Sequence, residues 1–501
     1  MKSAADLQKE NEELRAQLLD AHSQIDSLND RLQSLLQKHF APSSEKASPD
    51  QMGLFSEAES EEEAPTDEPR KDTEVKGHTR TSKPRVSIPA NVPREEIVYD
   101  ISDEEKVCPH DGSPLECIGS EDQEKLDIVP AQIKVFVHRR LKYACTCCNQ
   151  HIVTAAKPAQ PIEKSIASPG LLAFVATQKY ADALPLYRQS EMFKRIGIEI
   201  SRQNLANWMV KCGELVQPLI NLLLEELVSR PIVHMDETTL QVLNEEGKLA
   251  QSKSYMWLMA SFAANPISVF TYDASRTQAV PTNLLQESVE ALMVDGYDGY
   301  NQACATHDIQ RLGCWAHARR KFVEAQKLQP KGKTGKADQA IAFIQKLYKI
   351  EQRSKALTPE ERYDLRQKQA PPILDKLKKW LEKSLQNTPP KMALGKALVY
   401  LQNQWPRLTR YLEDGRYPID NNAAERAIRP FTIGRKNWLF SNSTAGAKSS
   451  ANLYSLVQTA KANDINPYRY LHTVFTQLPQ AQTAEDVEAL LPWNISRTEL
   501  V

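Results

Sequence analysis

Residues 231–243 read PIVHMDETTLQVL, and two neighbouring segments share their character: KSYMWLMASF at 253–262 and ISVFTYDA at 267–274. Each is short, rich in Val, Ile, Thr, Tyr and Phe, and bounded by Asn, Gly, Lys or Pro, which predicts β-strands. PTNLLQESVEAL at 281–292 reads as a helix, and ALMVDGY at 291–297 as a further apolar strand ending in an acid. Three hairpin-like strands, a helix, a strand and then helices define an α/β domain.

Working outward, 501 residues exceed one compact core, so the chain is expected to be multidomain. Residues 4–35 carry heptads, with Ala4, Asn11, Leu18, Ile25 and Leu32 at one core position and Leu7, Leu14, Ala21, Leu28 and Leu35 at the other. That predicts a coiled coil over 1–40 and a homo-oligomer, against the plainer reading of one amphipathic helix packed on its own chain. Residues 41–95, rich in Ser, Glu, Pro and Lys, read as a disordered linker. A cysteine-bearing module follows over 96–160, and a helical region over 161–229. In the latter, a short helix, Gly197 and a second helix capped by Ser201 fit a helix-turn-helix, which would set Arg202, Gln203 and Asn207 near base edges. Ordinary helix packing explains the same pattern. The α/β domain spans 230–333 and resumes at 414–445, around a helical insertion at 334–413. In that insertion Thr358, Pro359 and Glu361 form a capping box, and Leu394, Leu398, Leu401 and Trp405 repeat at helical spacing. A C-terminal helical region covers 446–501.

The net charge of -1 names no partner, but its distribution is uneven. Residues 56–72 are strongly acidic, whereas Arg311, Arg319, Arg320 and Lys321, and then Arg426, Arg429, Arg435 and Lys436, form basic clusters. No stretch reaches the ~18 apolar residues of a membrane span, and the N-terminus MKSAADLQKENEEL has no leader character. A cytoplasmic protein is expected.

Cutting or transferring a DNA phosphodiester needs a nucleophilic oxygen, a neutralised transition state and a stabilised leaving group, which two carboxylate-bound divalent ions can supply. Asp236 closes the apolar run 231–235 and Asp295 the run 291–294, so both are expected where a buried strand reaches the surface. A strand-end salt bridge is the bland alternative for either. Glu425, in PIDNNAAERAIRPFTIGRKNW, sits on an expected helix beside Arg426 and Arg429. Asp273, Asp298, Asp308 and Asp420 compete with these acids, Asp420 being well placed to cap that helix.

HMDETTLQVL, VDGYDGYNQ, LGCWAHARRKF and DNNAAERAIRPFTIGRKNWLFSNSTAGAKSSANLYSLVQTAKAN resemble the transposases of the bacterial insertion sequence sixty-six family. The similarity extends upstream through SSEK, CPHDGSPL to KYACTCC, and PGLLAFVATQKYADALPLYRQ, nearly the whole chain. It implies a DDE transposase with a ribonuclease-H-like catalytic domain, the fold whose element order the strands follow. Asp236, Asp295 and Glu425 fall on the family's three metal-binding acids, holding Mg2+ or Mn2+. Transposon-end DNA and target DNA are the implied partners, with small accessory proteins of the same element. Arg319, Arg320, Lys321, Arg426 and Arg429, with Arg435 and Lys436, are expected on DNA, the first five on phosphates. His317 orients a phosphate or is a structural histidine.

In the cysteine module, Cys145 and Cys148 have the spacing of half a zinc ribbon, with Cys108 and position 111 as the other half. Residue 111 is Asp, so three thiolates plus Asp111 or His110 form a mixed set for Zn2+, against a ribbon that holds its shape without metal. Two rival functions remain in view: a DNA-binding regulator derived from an inactive transposase, and a ribonuclease-H-like nuclease that cuts without joining.

Overall fold

The computed structural model describes residues 133–144, 152–328 and 335–496, with isolated positions nearer the start of the chain (14, 15, 17, 18, 21, 24, 25, 32, 102 and 113). Most of the heptad segment, the linker, and Cys108, His110, Asp111, Cys145 and Cys148 of the expected ribbon lie outside the described residues. The chain divides into two compact units, one of residues 64–157 and the other of residues 1–63 and 158–501. In the first, β1 (Lys142–Ala144) and β2 (Ile152–Thr154) pair as an antiparallel ladder. Arg140 Nε donates to Ala155 O at 2.6 Å and extends it.

The second unit is built on a mixed sheet. Strands β3 (Ile232–Asn244), β4 (Lys253–Ser261) and β5 (Ile267–Asp273) form an antiparallel meander. Strands β6 (Ala291–Val294) and β7 (Gln310–Gly313) then add on the other side of β3, both parallel to it, giving the order β5-β4-β3-β6-β7. A three-residue strand β8 (Ser441–Ser443) pairs with the far end of β3. The run ALMV in β6 is buried at all four positions, and its alternate residues enter different cores. A strand covered on both faces must be continuously apolar, which explains the unbroken run.

Helices cover both faces. The first core receives α1 (Pro169–Tyr180), α2 (Leu186–Arg195), α3 (Arg202–Leu215) and α4 (Gln217–Val228). Gly197, at φ 85°, makes the turn between α2 and α3, and Ser201 Oγ caps α3 by accepting Asn204 N–H at 3.1 Å. The connections of the sheet carry α5 (Ala279–Leu284), α6 (Tyr300–Thr306) and α7 (Trp315–Gln326). The second core is closed by α7 and by α8 (Lys336–Arg353), α9 (Pro359–Gln369), α10 (Pro371–Gln386) and α11 (Ala393–Thr409). The capping box is formed: Thr358 Oγ1 accepts Glu361 N–H at 3.3 Å, and Glu361 Oε2 accepts Thr358 N–H at 2.9 Å. The chain returns to the sheet with α12 (Asn422–Trp438) and ends with α13 (Thr444–Ala462), α14 (Pro467–Gln477) and α15 (Ala484–Glu488). Among the described residues no helix is long and apolar enough to cross a membrane.

Helix α13 solves the problem of the edge strand β5, whose outer backbone groups would otherwise be open for pairing. Ser455 Oγ accepts Phe270 N–H at 2.8 Å. Thr459 Oγ1 accepts Ser268 N–H and donates to Ser268 O, both at 3.1 Å.

Three sequence expectations change. The helix expected over 281–292 covers only Ala279–Leu284: residues 285–290 form a turn and the strand begins at Ala291. Pro231 O accepts both Glu290 N–H and Ala291 N–H at 2.9 Å. Strand β7 is only four residues long, too short for a periodic signal, and passes unnoticed ahead of CWAHARR. Asp236 does not end its strand but is the fifth of thirteen residues in β3. Its parallel neighbour β6 stops at Val294 while β3 runs on, which leaves Asp236 part-buried beside the end of β6.

Helices α3 and α13 meet at Gly213, where an added Cβ would lie 2.3 Å from Ser449 Cβ and 2.5 Å from its Cα. Alanine there gains helix propensity but drives two backbones apart. Gly213→Ala is expected to destabilise the protein by about 1–3 kcal/mol in urea unfolding, the usual cost of overpacking.

Candidate functional site

The last register pair between β3 and β6 is His234 with Met293. Two residues further along each strand stand Asp236 and Asp295, brought side by side by the parallel pairing. Glu425 comes from the first turn of α12. What joins that helix to the sheet is Asn421, only 1% exposed. Its Nδ2 donates to Met235 O at 2.9 Å, its Oδ1 accepts His234 Nδ1–H at 2.8 Å, and its backbone N–H donates to Cys314 Sγ at 3.2 Å. Burial holds His234 down to about pKa 4, so at neutral pH it is an uncharged donor.

Each acid has one oxygen anchored. Asp236 Oδ1 accepts Glu237 N–H at 2.9 Å, Asp295 Oδ1 accepts Tyr297 N–H at 2.9 Å, and Glu425 Oε2 accepts Arg320 Nη2–H at 2.8 Å. Glu425 Oε1 is buried and lies 3.6 Å from His317 Nδ1, and among the described residues neither atom has a hydrogen-bond partner. Burial, and then the charges of Glu237, Glu425 and Asp295, push the Asp236 carboxyl well above its ordinary range. Carboxylates this close oppose one another's ionisation, and a hard divalent cation is the group that removes the conflict. Carboxylate oxygens of this kind are hard donors that suit a divalent cation. Among the described residues, the one set of His, Cys, Asp and Glu ligand atoms that all lie within 4.8 Å of one another is Cys314, His317 and Glu425, softer than a carboxylate trio; Asp236 and Asp295 are outside it.

A supporting network holds the Asp295 turn. Glu237 accepts Arg276 Nε–H at 2.7 Å and the Tyr300 hydroxyl. The Arg276 guanidinium stacks 3.9 Å from the centre of the Tyr297 ring. Arg311, on β7, donates to Asp295 O at 2.9 Å and Tyr297 O at 2.8 Å. None of His234, Glu237, Arg276, Tyr300 and Asn421 is singled out by sequence pattern, and Arg311 is marked only as one member of a basic cluster. Glu237 carried a usable signal, since an acid next to Asp236 on a strand points to the opposite face and needs a partner there.

The competing acids serve turns and caps. Asp273 Oδ1 accepts Ser275 N–H at 2.7 Å, and Asp298 Oδ1 accepts from Asn301 at 3.3 Å. Asp308 occupies a left-handed turn at φ 51°. Asp420 receives Asn422 N–H at 3.0 Å, holding the start of α12, and the Tyr348 hydroxyl at 2.7 Å.

Of the basic candidates, Lys321, Arg426, Arg429 and Lys436 are exposed and Arg319 is half-buried. Arg320 faces Glu425, and Arg435 turns to β3, donating to Thr238 Oγ1 at 2.9 Å and Thr239 Oγ1 at 3.1 Å. Arg202, Gln203 and Asn207 are exposed on the first turns of α3.

The family model described as Transposase IS66 family matches residues 164–449, and the IS66 C-terminal element matches 455–493. The zinc-finger binding domain of transposase IS66 matches 105–149, and Transposase C of IS166 homeodomain matches 27–97. An uncharacterized protein of Sinorhizobium fredii, y4qI, is 35% identical over 430 residues, 83% of this chain and 78% of its own. A second from that organism, y4jD, is 30% identical over 436 residues, 84% of each chain. The chain belongs to the IS66 transposase family.

Because the fold raises the Asp236 carboxyl above its unfolded value, the ionised form weakens the metal-free protein at neutral pH. The stabilising contribution is present at low pH and lost as pH rises through the folded value. In magnesium-free buffer at pH 7, Asp236→Asn is expected to raise Tm, by about 1 kcal/mol of stability. The gain should shrink on acidification in the same melting experiment.

Proposed function

We propose that this protein is a DDE transposase that cleaves transposon-end DNA and joins the freed 3′-hydroxyl to target DNA, with Asp236, Asp295 and Glu425 as its metal ligands and catalytic acids. One observation carries the reading. Asp236 on β3, Asp295 just past the end of β6 and Glu425 on the first turn of α12 are carried to one region of the sheet edge, where the charges of Glu425 and Asp295 add to burial and Glu237 in raising the Asp236 carboxyl. The strand order, with three antiparallel strands and two more parallel to the first, favours a ribonuclease-H-like catalytic domain at 230–333 and 414–445, interrupted by the helical insertion at 334–413.

Bound magnesium or manganese supplies the activation of the attacking oxygen and the neutralisation of phosphate charge. The chain supplies position. Backbone N–H groups of Glu237 and Tyr297 fix the two aspartates, Arg320 fixes Glu425, and Asn421 holds the helix that carries it. Lys321, Arg426 and Arg429 offer cations to flanking phosphates, contacts that set register without reading sequence. Arg202, Gln203 and Asn207 offer side chains to base edges from α3. The exposed apolar heptad residues Leu14, Leu18, Ile25 and Leu32 favour a homo-oligomer through the coiled coil at 1–40. The zinc-finger match over 105–149 favours Zn2+ on Cys108, Asp111, Cys145 and Cys148.

Asp236→Ala, Asp295→Ala and Glu425→Ala are each expected to lower magnesium-dependent nicking and strand transfer on transposon-end DNA by at least about 100-fold. Full activity in any one removes that residue from the site. Joined products separate a transposase from a nuclease that only cuts, and from a regulator that does neither. Elemental analysis of protein purified without chelators is expected to find about one zinc per chain in the ribbon. Zinc-free, folded protein refutes that assignment.

A further inference from the structure

Arg311, Arg407 and Arg410 converge on a cleft of about 390 Å3 between α6 and the C-terminal end of α11, also lined by Asn301 and Asn403. Arg311 is 3% exposed, and its Nε is buried with no hydrogen-bond partner among the described residues. Its other nitrogens go to Asn301 Oδ1 and to the carbonyls of Asp295 and Tyr297. Arg407 donates to Asn301 Oδ1 at 2.9 Å and Gln404 Oε1 at 3.2 Å, and Arg410 to Arg311 O at 3.1 Å. All these acceptors are uncharged. Among the described residues, none of the three arginines forms an ion pair with a carboxylate. Asp295 and Asp298 act on Arg311 only from farther away.

Part of this arrangement is structural. Arg407 and Arg410 stand at the end of a helix, where cations suit the dipole, and Arg311 braces the Asp295 turn. Those roles leave the charge unbalanced, since three guanidinium groups around one cleft repel each other and burial raises the cost. An anion with several acceptor oxygens relieves both, and the guanidinium fork matches phosphate geometry.

We propose that this cleft takes a backbone phosphate of bound DNA, one flanking the bond that is cut, so that the insertion helix α11 is part of the DNA-binding surface. The inference rests on the reading of the protein as DNA-acting, but not on its chemistry. Arg311 touches the cleft with one end and the Asp295 turn with the other, so an occupied cleft stiffens the turn that presents a catalytic acid.

The test uses the full chain, a random-sequence duplex and no divalent metal, so that loss of cleavage cannot affect the result. Arg407→Gln with Arg410→Gln is expected to weaken duplex binding roughly tenfold near physiological salt and to reduce the slope of log affinity against log salt by about 1, the mark of one lost phosphate contact. The corresponding lysine pair should restore most of the slope. Asn403→Glu, which adds a negative charge at the exposed rim and removes no arginine contact, should weaken binding in the same direction. Wild-type affinity and slope in a folded glutamine pair or in Asn403→Glu overturn the proposal. So does a glutamine pair that loses thermal stabilisation by inorganic phosphate but keeps full duplex affinity, since the cleft would then serve a free anion.

Discussion

The candidate site depends on one buried amide. Asn421 bonds to the backbone of β3, to the ring of His234 and to the sulfur of Cys314, so it fastens the start of α12 to β3 and to the start of α7. Without it, the Met235 carbonyl and a neutral buried imidazole would each lose a partner in the interior, a penalty of about 1–3 kcal/mol per group. The strong preference for satisfying these groups fixes the entry angle of α12. That angle sets where Glu425 falls relative to two aspartates delivered by strand pairing.

Around this clamp, precision is set against repulsion. The sheet brings Asp236 and Asp295 together by register, an arrangement that backbone hydrogen bonds enforce whatever the side chains prefer. The resulting conflict of charge is contained by anchoring one oxygen of each acid to an N–H group or to Arg320. Glu237, behind them, is compensated by Arg276 and Tyr300. The structure thus tolerates local strain in charge at the site and offsets it with two well-filled cores, one on each face of the sheet.

Much of the scaffold was legible in the sequence. The strands around 231–274, the buried run of β6, the capping box at Thr358 and the Ser201 cap all obey local rules, and local rules survive folding. Asp236 and Asp295 could be named because each follows an apolar run, although Asp236 turned out to lie inside its strand. Glu425 rested on family resemblance, because nothing near residue 425 states which strand it will face. Asn421, His234 and Arg311 act through partners 187, 187 and 16 residues away respectively, and such pairings leave no periodic trace. The four-residue β7 and the shortened helix before β6 escaped for the opposite reason, being too short for any period to register.

The return of the chain to the sheet after the insertion also has a temporal meaning. Strands β3 to β7 are complete by residue 313, yet the third acid and its clamp are supplied only after residue 420. During synthesis, the sheet and its two aspartates can therefore assemble on the ribosome well before the glutamate has emerged. A nascent or prematurely terminated chain is left with an incomplete set of carboxylates. Placing a helical segment between Asp295 and Glu425 makes length itself a condition for bringing the three carboxylates to one place.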